Sequence, residues 1–179
     1  MGKITILLVD DHKLIRDSWS FILNSDSRFQ VIGETSNADE AVQIARTKKP
    51  DIVLMDIEMP DVDGIEGGKR IKSRYPDIKV IMQTVYEDNE KIFSALKNGA
   101  EGYILKKASI ASIIESINEV QHGGAFMTPS VSLQVLKFLN KPVEKDERIQ
   151  SLSPREREVL TFLAEGDSYK MIAERMQIS

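Results

Sequence analysis

Cysteine is missing from all 179 residues. Its absence excludes disulfide stapling, thiol nucleophiles and cysteine-based zinc sites. Histidine is scarce: His12 and His122 are the only two, too few for a histidine-rich metal site. Long apolar runs are also lacking. The longest, such as residues 6–9, fall far short of the ~20 residues that span a bilayer. The N-terminal apolar run goes straight into Asp10-Asp11, which is not a signal-peptide pattern. No Gly-rich phosphate loop occurs, so nucleotide binding is not expected. Charge of one sign is not in great excess: the net charge is −4. The whole molecule is therefore no obvious polyanion binder, and nucleic-acid binding is left to a local face. A cytoplasmic protein without membrane segments is expected.

Hydrophobic residues make up 41% of the chain, enough for a core. Five short runs rich in β-branched residues occur at 4–9, 29–33, 52–55, 80–84 and 102–105. They are too continuous for half-exposed strands and too short for helices, so they read as strands buried on both faces. Amphipathic segments lie between them. The first carries Leu14, Ile15, Ile22 and Leu23; the second Ala38, Ala41, Val42 and Ala45; the third Ile65, Gly68 and Ile71. The fourth has Ile92, Phe93 and Leu96 and stops at Asn98-Gly99, a good C-terminal cap. The fifth has Ile110, Ile113, Ile114, Ile117 and Val120 and stops at Gly123-Gly124. Five βα units make an α/β fold: a flavodoxin-like, doubly wound (βα)5 domain with a five-stranded parallel sheet. Right-handed crossovers place helices on both faces.

The character changes after residue 124. Residues 125–150 read as a linker with one short helix marked by Val131, Val135, Leu136 and Leu139. Its second half, 141–150, is dense in charge of both signs. Residues 151–179 form a partial all-α module. Ser153-Pro154-Arg155-Glu156 is a capping box with proline at the first helical position. Val159, Leu160, Leu163 and Ala164 make an apolar stripe that Gly166 ends, and a second short helix follows with Ile172, Ala173 and Met176 inward. Two short helices around a Gly-containing turn fit the start of a helix-turn-helix.

In an open parallel sheet, ligands bind beyond the carboxyl ends of the strands. Those ends carry Asp10-Asp11, Asp56, Thr84 and Lys106. Each has a plain explanation alone: aspartates favour turns and caps, and Asp11 reads as a cap of the first helix. Together they suggest chemistry. Two carboxylates about 5 Å apart repel by roughly 3 kcal/mol at an effective dielectric near 20. Such a cluster calls for a cation, and an all-oxygen ligand set suits Mg²⁺. One carboxylate can then act as a nucleophile toward phosphorus, with Lys106 and Thr84 facing the transferring group.

Here the sequence resembles the receiver domains of response regulators. Leu7-Leu8-Val9-Asp10-Asp11-His12 looks like their first motif. Residues 50–60, with Asp63-Gly64, look like the phosphoacceptor motif, and residues 98–106 like the fifth-strand motif. The resemblance covers residues 1–124 and implies a set of roles. Asp56 is the phosphoacceptor. Asp11, Asp56 and the backbone carbonyl of Glu58 hold Mg²⁺ directly, and Asp10 acts on it through water. Thr84 and Lys106 contact the phosphoryl group, and Tyr103 is the switch aromatic. Glu58 and Tyr86 tune dephosphorylation. His12 reads as an exposed first-turn residue, and Ser18-Trp19 departs from the common Gly-Leu.

Residues 152–160, with Leu163-Ala164-Glu165-Gly166 and Ile172-Ala173, resemble the start of a LuxR-type helix-turn-helix. Receiver plus this module is the NarL/FixJ arrangement of transcription regulators. The resemblance implies a two-component response regulator that is no enzyme. A sensor histidine kinase phosphorylates it, and phosphorylation controls DNA binding by the full-length protein, with phosphorylation-dependent homodimerisation. The recognition helix is expected beyond Ser179, so residues 151–179 carry no specific DNA-contacting residue. Two other readings are a metal-dependent phosphatase and a constitutive interaction module. The phosphatase reading needs a second aspartate two residues after the nucleophile, where this chain has Glu58.

Overall fold

The computed structural model describes residues 2–85, 88–140, 153–164 and 168–176. By backbone proximity the chain forms two units, Met1–Leu139 and Asn140–Ser179. The first unit runs β1 (Ile4–Val9), α1 (Lys13–Ser25), β2 (Phe29–Thr35), α2 (Ala38–Lys48), β3 (Ile52–Asp56), α3 (Gly64–Arg74), β4 (Lys79–Thr84), α4 (Asn89–Lys97), β5 (Gly102–Leu105), α5 (Ile110–Gln121), β6 (Phe126–Met127) and α6 (Pro129–Leu139). The strands pair in parallel in the order β2-β1-β3-β4-β5-β6. The order reverses beside β1, between β2 and β3. That reversal opens a crevice at the strand ends.

Period-two alternation explains both cores. Leu7, Val9, Val53, Met55, Val80, Met82, Tyr103 and Leu105 point to one face, where Ala41, Ile71, Ile92 and Val131 cover them. Ile6, Leu8, Ile52, Leu54, Ile81 and Ile104 point to the other, under Leu23, Ile113 and Ile117. Polar side chains start the helices: Asn37, Asp63, Asp88 and Ser109 each accept backbone N–H bonds in a first turn. Gly99 at φ 92° and Gly123 at φ 86° turn the chain out of α4 and α5, a conformation that costs glycine little.

Two features go beyond the expected layout. A sixth strand lengthens the sheet: Phe126 N donates to Glu101 O at 3.1 Å and Thr128 N to Tyr103 O at 3.3 Å. The expected linker helix, α6, packs within the first unit. Val131 is fully buried, and the Phe138 ring stacks on Phe93 with centroids 3.6 Å apart. Several expected apolar-stripe positions are corrected: Leu14, Ile110, Leu136 and Leu139 are all exposed, Leu14 the most at 80%. The inward stripe of α1 instead runs through Trp19 and Leu23, and Leu14 lies off that stripe on the helical wheel.

The second unit contains α7 (Pro154–Ala164) and α8 (Tyr169–Arg175). The capping box forms as expected: Ser153 N donates to Glu156 Oε2 at 2.8 Å, and Glu156 N to Ser153 Oγ at 3.4 Å. Ser168 caps α8. Ile172 is buried, but Leu160 and Leu163, expected inside, stay 47% and 39% exposed, because two short helices have little surface to cover an apolar stripe. Residues 141–152, Gly166 and Tyr86 lie outside the described residues. No helix among those described is long and apolar enough to cross a membrane.

Candidate functional site

β1 hands over to Asp10 at the sheet edge, where Asp10 N donates to Thr35 O at 3.1 Å. The side chain is then turned inward: its Oδ1 accepts the His12 amide at 2.9 Å, and Arg16 donates to its carbonyl. Asp56 is the last residue of β3 and pairs in register with Gln83. Both carboxylates are nearly buried, Asp10 at 4% and Asp56 at 3% exposure. Lys106, just past β5, reaches both. Its Nζ lies 2.6 Å from Asp10 Oδ2 and 2.8 Å from Asp56 Oδ2. Its amide donates to Thr84 O at 2.7 Å, which fixes it to the end of β4.

Asp11 completes the cluster. The N-cap of α1 is His12, with no side-chain capping bond, so Asp11 does not serve as a cap. Its Oδ1 lies instead 2.6 Å from His12 Nδ1. Ligand atoms of Asp10, Asp11, His12 and Asp56 all lie within 4.8 Å of one another. His12 stays exposed, as expected, yet sits among the acidic group.

The electrostatics are unbalanced. Burial pushes the Asp56 carboxyl up; Lys106 only partly offsets this, and Asp10 pushes it further. Burial alone would lower the Lys106 ammonium, but two carboxylates outweigh it and keep it charged. Lys106 pairs with two of the three carboxylates, and Asp11 lies beside His12. A cluster with more carboxylates than lysines suits a hard divalent cation with oxygen ligands.

A close backbone approach shapes the loop after Asp56. Gly64 N donates to Ile57 O at 2.9 Å. A Cβ on Gly64 would stand 1.8 Å from Asp56 O, so only glycine fits there. Glu58 N faces Asp56 Oδ1 at 3.4 Å, and the Glu58 side chain pairs with Lys91 on α4. Thr84 is fully buried at the end of β4. Tyr103 is fully buried too, its hydroxyl without a hydrogen-bond partner among the described residues. Burial, with the charges of Asp88 and Glu58, pushes that hydroxyl far above the usual phenol range.

Asp10, Asp11, Asp56 and Lys106 are thus brought together, Thr84 ends the neighbouring strand, and Glu58 stands on the lip. The Glu58–Lys91 contact was missed from sequence, since 33 residues separate the partners.

A family model described as the response regulator receiver domain matches residues 6–118, and one described as bacterial regulatory proteins of the luxR family matches residues 150–179. Transcriptional regulatory protein DegU of Brevibacillus brevis is 34% identical over 99% of this chain and 82% of its own length. Response regulator protein VraR of Staphylococcus aureus is 35% identical over 98% and 83%. Among solved structures, a LuxR-family two-component response regulator from Aurantimonas gives a TM-score of 0.73 at 26% identity, covering 76% of this chain and 98% of that one. A structure of two RcsB dimers bound to two parallel DNAs gives 0.71 at 25% identity, covering 99% and 84%.

Proposed function

The chain belongs to the response-regulator family, a receiver domain followed by a LuxR-type DNA-binding region, and from that premise we propose that Asp56 accepts the phosphoryl group. One observation carries this reading: a carboxylate only 3% exposed, at the end of the central strand, held 2.8 Å from Lys106 within an acidic cluster. An Asp56 carboxylate oxygen forms the new bond to phosphorus while the bond to the donor's leaving group breaks. The leaving group departs with the electron pair. Lys106 neutralises the transferred oxygens, and the Thr84 hydroxyl supplies a donor to them.

Asp10, Asp11, Asp56 and the Glu58 carbonyl would hold Mg²⁺, which supplies charge neutralisation when bound. Glu58 and Tyr86 tune how fast the label is lost. Tyr103 is the switch residue: its unpartnered hydroxyl gains a partner if the ring moves outward when Thr84 shifts. A sensor histidine kinase is the donor partner. The full-length protein binds DNA as a phosphorylation-dependent dimer, and RcsB, a relative, has been seen as DNA-bound dimers. Residues 1–124 form the receiver, 125–150 the connection and 151–179 the first part of the output module.

The competing phosphatase reading is separated by stoichiometry. With Mg²⁺ and excess acetyl phosphate, a response regulator takes up about one phosphoryl group per chain and releases phosphate slowly. Rapid, repeated release of many equivalents per chain would overturn the proposal.

A further inference from the structure

An opening of about 410 Å³ adjoins the cluster, bounded by Asp11, Glu58, Met59, Asp63 and Lys91 among others. Three of its charged walls are acidic, and Lys91 is the one cation among the described residues that line it. A phosphoryl donor is an anion and Asp56 is almost buried, so an approach through this opening meets like charge first. Lys106 is already committed to Asp10 and Asp56. Lys91 sits in the first turn of α4, about a third exposed, and is paired to Glu58.

We propose that Lys91 is a positioning residue for the incoming phosphoryl donor, held on the lip of the site by Glu58 and exchanged from that carboxylate to the donor's phosphate oxygens. The proposal rests on Asp56 being the phosphoacceptor. Glu58 above all, with Asp88 and Asp63, holds the Lys91 ammonium charged. Glu58 then has a definite part: it competes with the donor for Lys91. With acetyl phosphate, the bond between phosphorus and the acetate oxygen breaks and acetate leaves with the electron pair. The Asp56 carboxylate forms the replacing bond, so no proton is gained or lost. Lys91 takes no part in that exchange; it gathers and orients the dianion before it.

The test is the rate of labelling against acetyl phosphate concentration, with Mg²⁺ affinity measured separately by calorimetry. Lys91→Gln should raise the half-saturating donor concentration about three- to tenfold and leave the limiting rate within about twofold, as a lost rim charge does. Lys91→Arg should restore it. Glu58→Gln should lower the half-saturating concentration more in wild type than beside Lys91→Gln. Added salt should close the gap between wild type and Lys91→Gln. Mg²⁺ affinity should move the opposite way, tightening in Lys91→Gln because a like charge is gone. Unchanged half-saturation, an equal fall in the limiting rate, or weaker Mg²⁺ binding in Lys91→Gln would each overturn the proposal. If instead Asp56→Asn is labelled as well as wild type, the phosphoacceptor reading fails and takes this one with it.

Discussion

Asp56 carries a cost that the fold accepts. Its carboxyl is raised because burial outweighs the help from Lys106. Folding is thus less favourable with this group ionised than with it neutral, and stability falls as pH rises from the ordinary value of 3.8 through the raised one. Asp56→Asn cannot ionise. Without divalent cation it should unfold at a higher temperature than wild type at neutral pH, and the difference should vanish below about pH 3.8. Thermal unfolding across pH checks this; equal midpoints at pH 7 would contradict it. Gly64 makes a second demand at this scale. Gly64→Ala drives a methyl into the Asp56 carbonyl, so the loop must shift, at a cost of about 3 kcal/mol in urea unfolding. The cluster was legible in the sequence because Asp10, Asp11, Asp56 and Lys106 each follow a recognisable strand. The lip was not, because no local pattern ties Glu58 to Lys91, and Tyr86 lies outside the described residues.

At the scale of elements, β1, β3, β4 and β5 were readable because they are apolar runs largely buried on both faces, β3 along its whole length, whereas β2, expected to be buried likewise, is an edge strand that leaves Gln30 and Glu34 exposed. The sixth strand was not readable, since two residues carry no periodicity. The docking of α6 was also hidden. Its apolar positions marked a helix, but nothing local says that Val131 and Phe138 meet α4 and the sheet. β6 pairs with β5 at Tyr103, whose carbonyl accepts the Thr128 amide, so the start of α6 is tied to the strand that carries Tyr103. Phe138→Ala removes the stack on Phe93 and should destabilise the first unit by about 1 kcal/mol. It should also speed amide exchange along α6 well before the central strands. Exchange in α6 as slow as wild type would contradict this packing account.

The whole chain is two units with different bases for stability. The first has two continuous apolar cores either side of a sheet. The second, among its described residues, buries Ile172 and relies on local caps at Ser153 and Ser168. The sequence conveyed both parts, since the capping box and the strand-end acids are local signals. The packing of α6 into the first unit was not conveyed, because it depends on α6 finding α4. The central claim is phosphorylation at Asp56, and intact mass after incubation with Mg²⁺ and acetyl phosphate tests it most directly. The account predicts one added phosphoryl group on wild type and none on Asp56→Asn; the same addition on both proteins would contradict it.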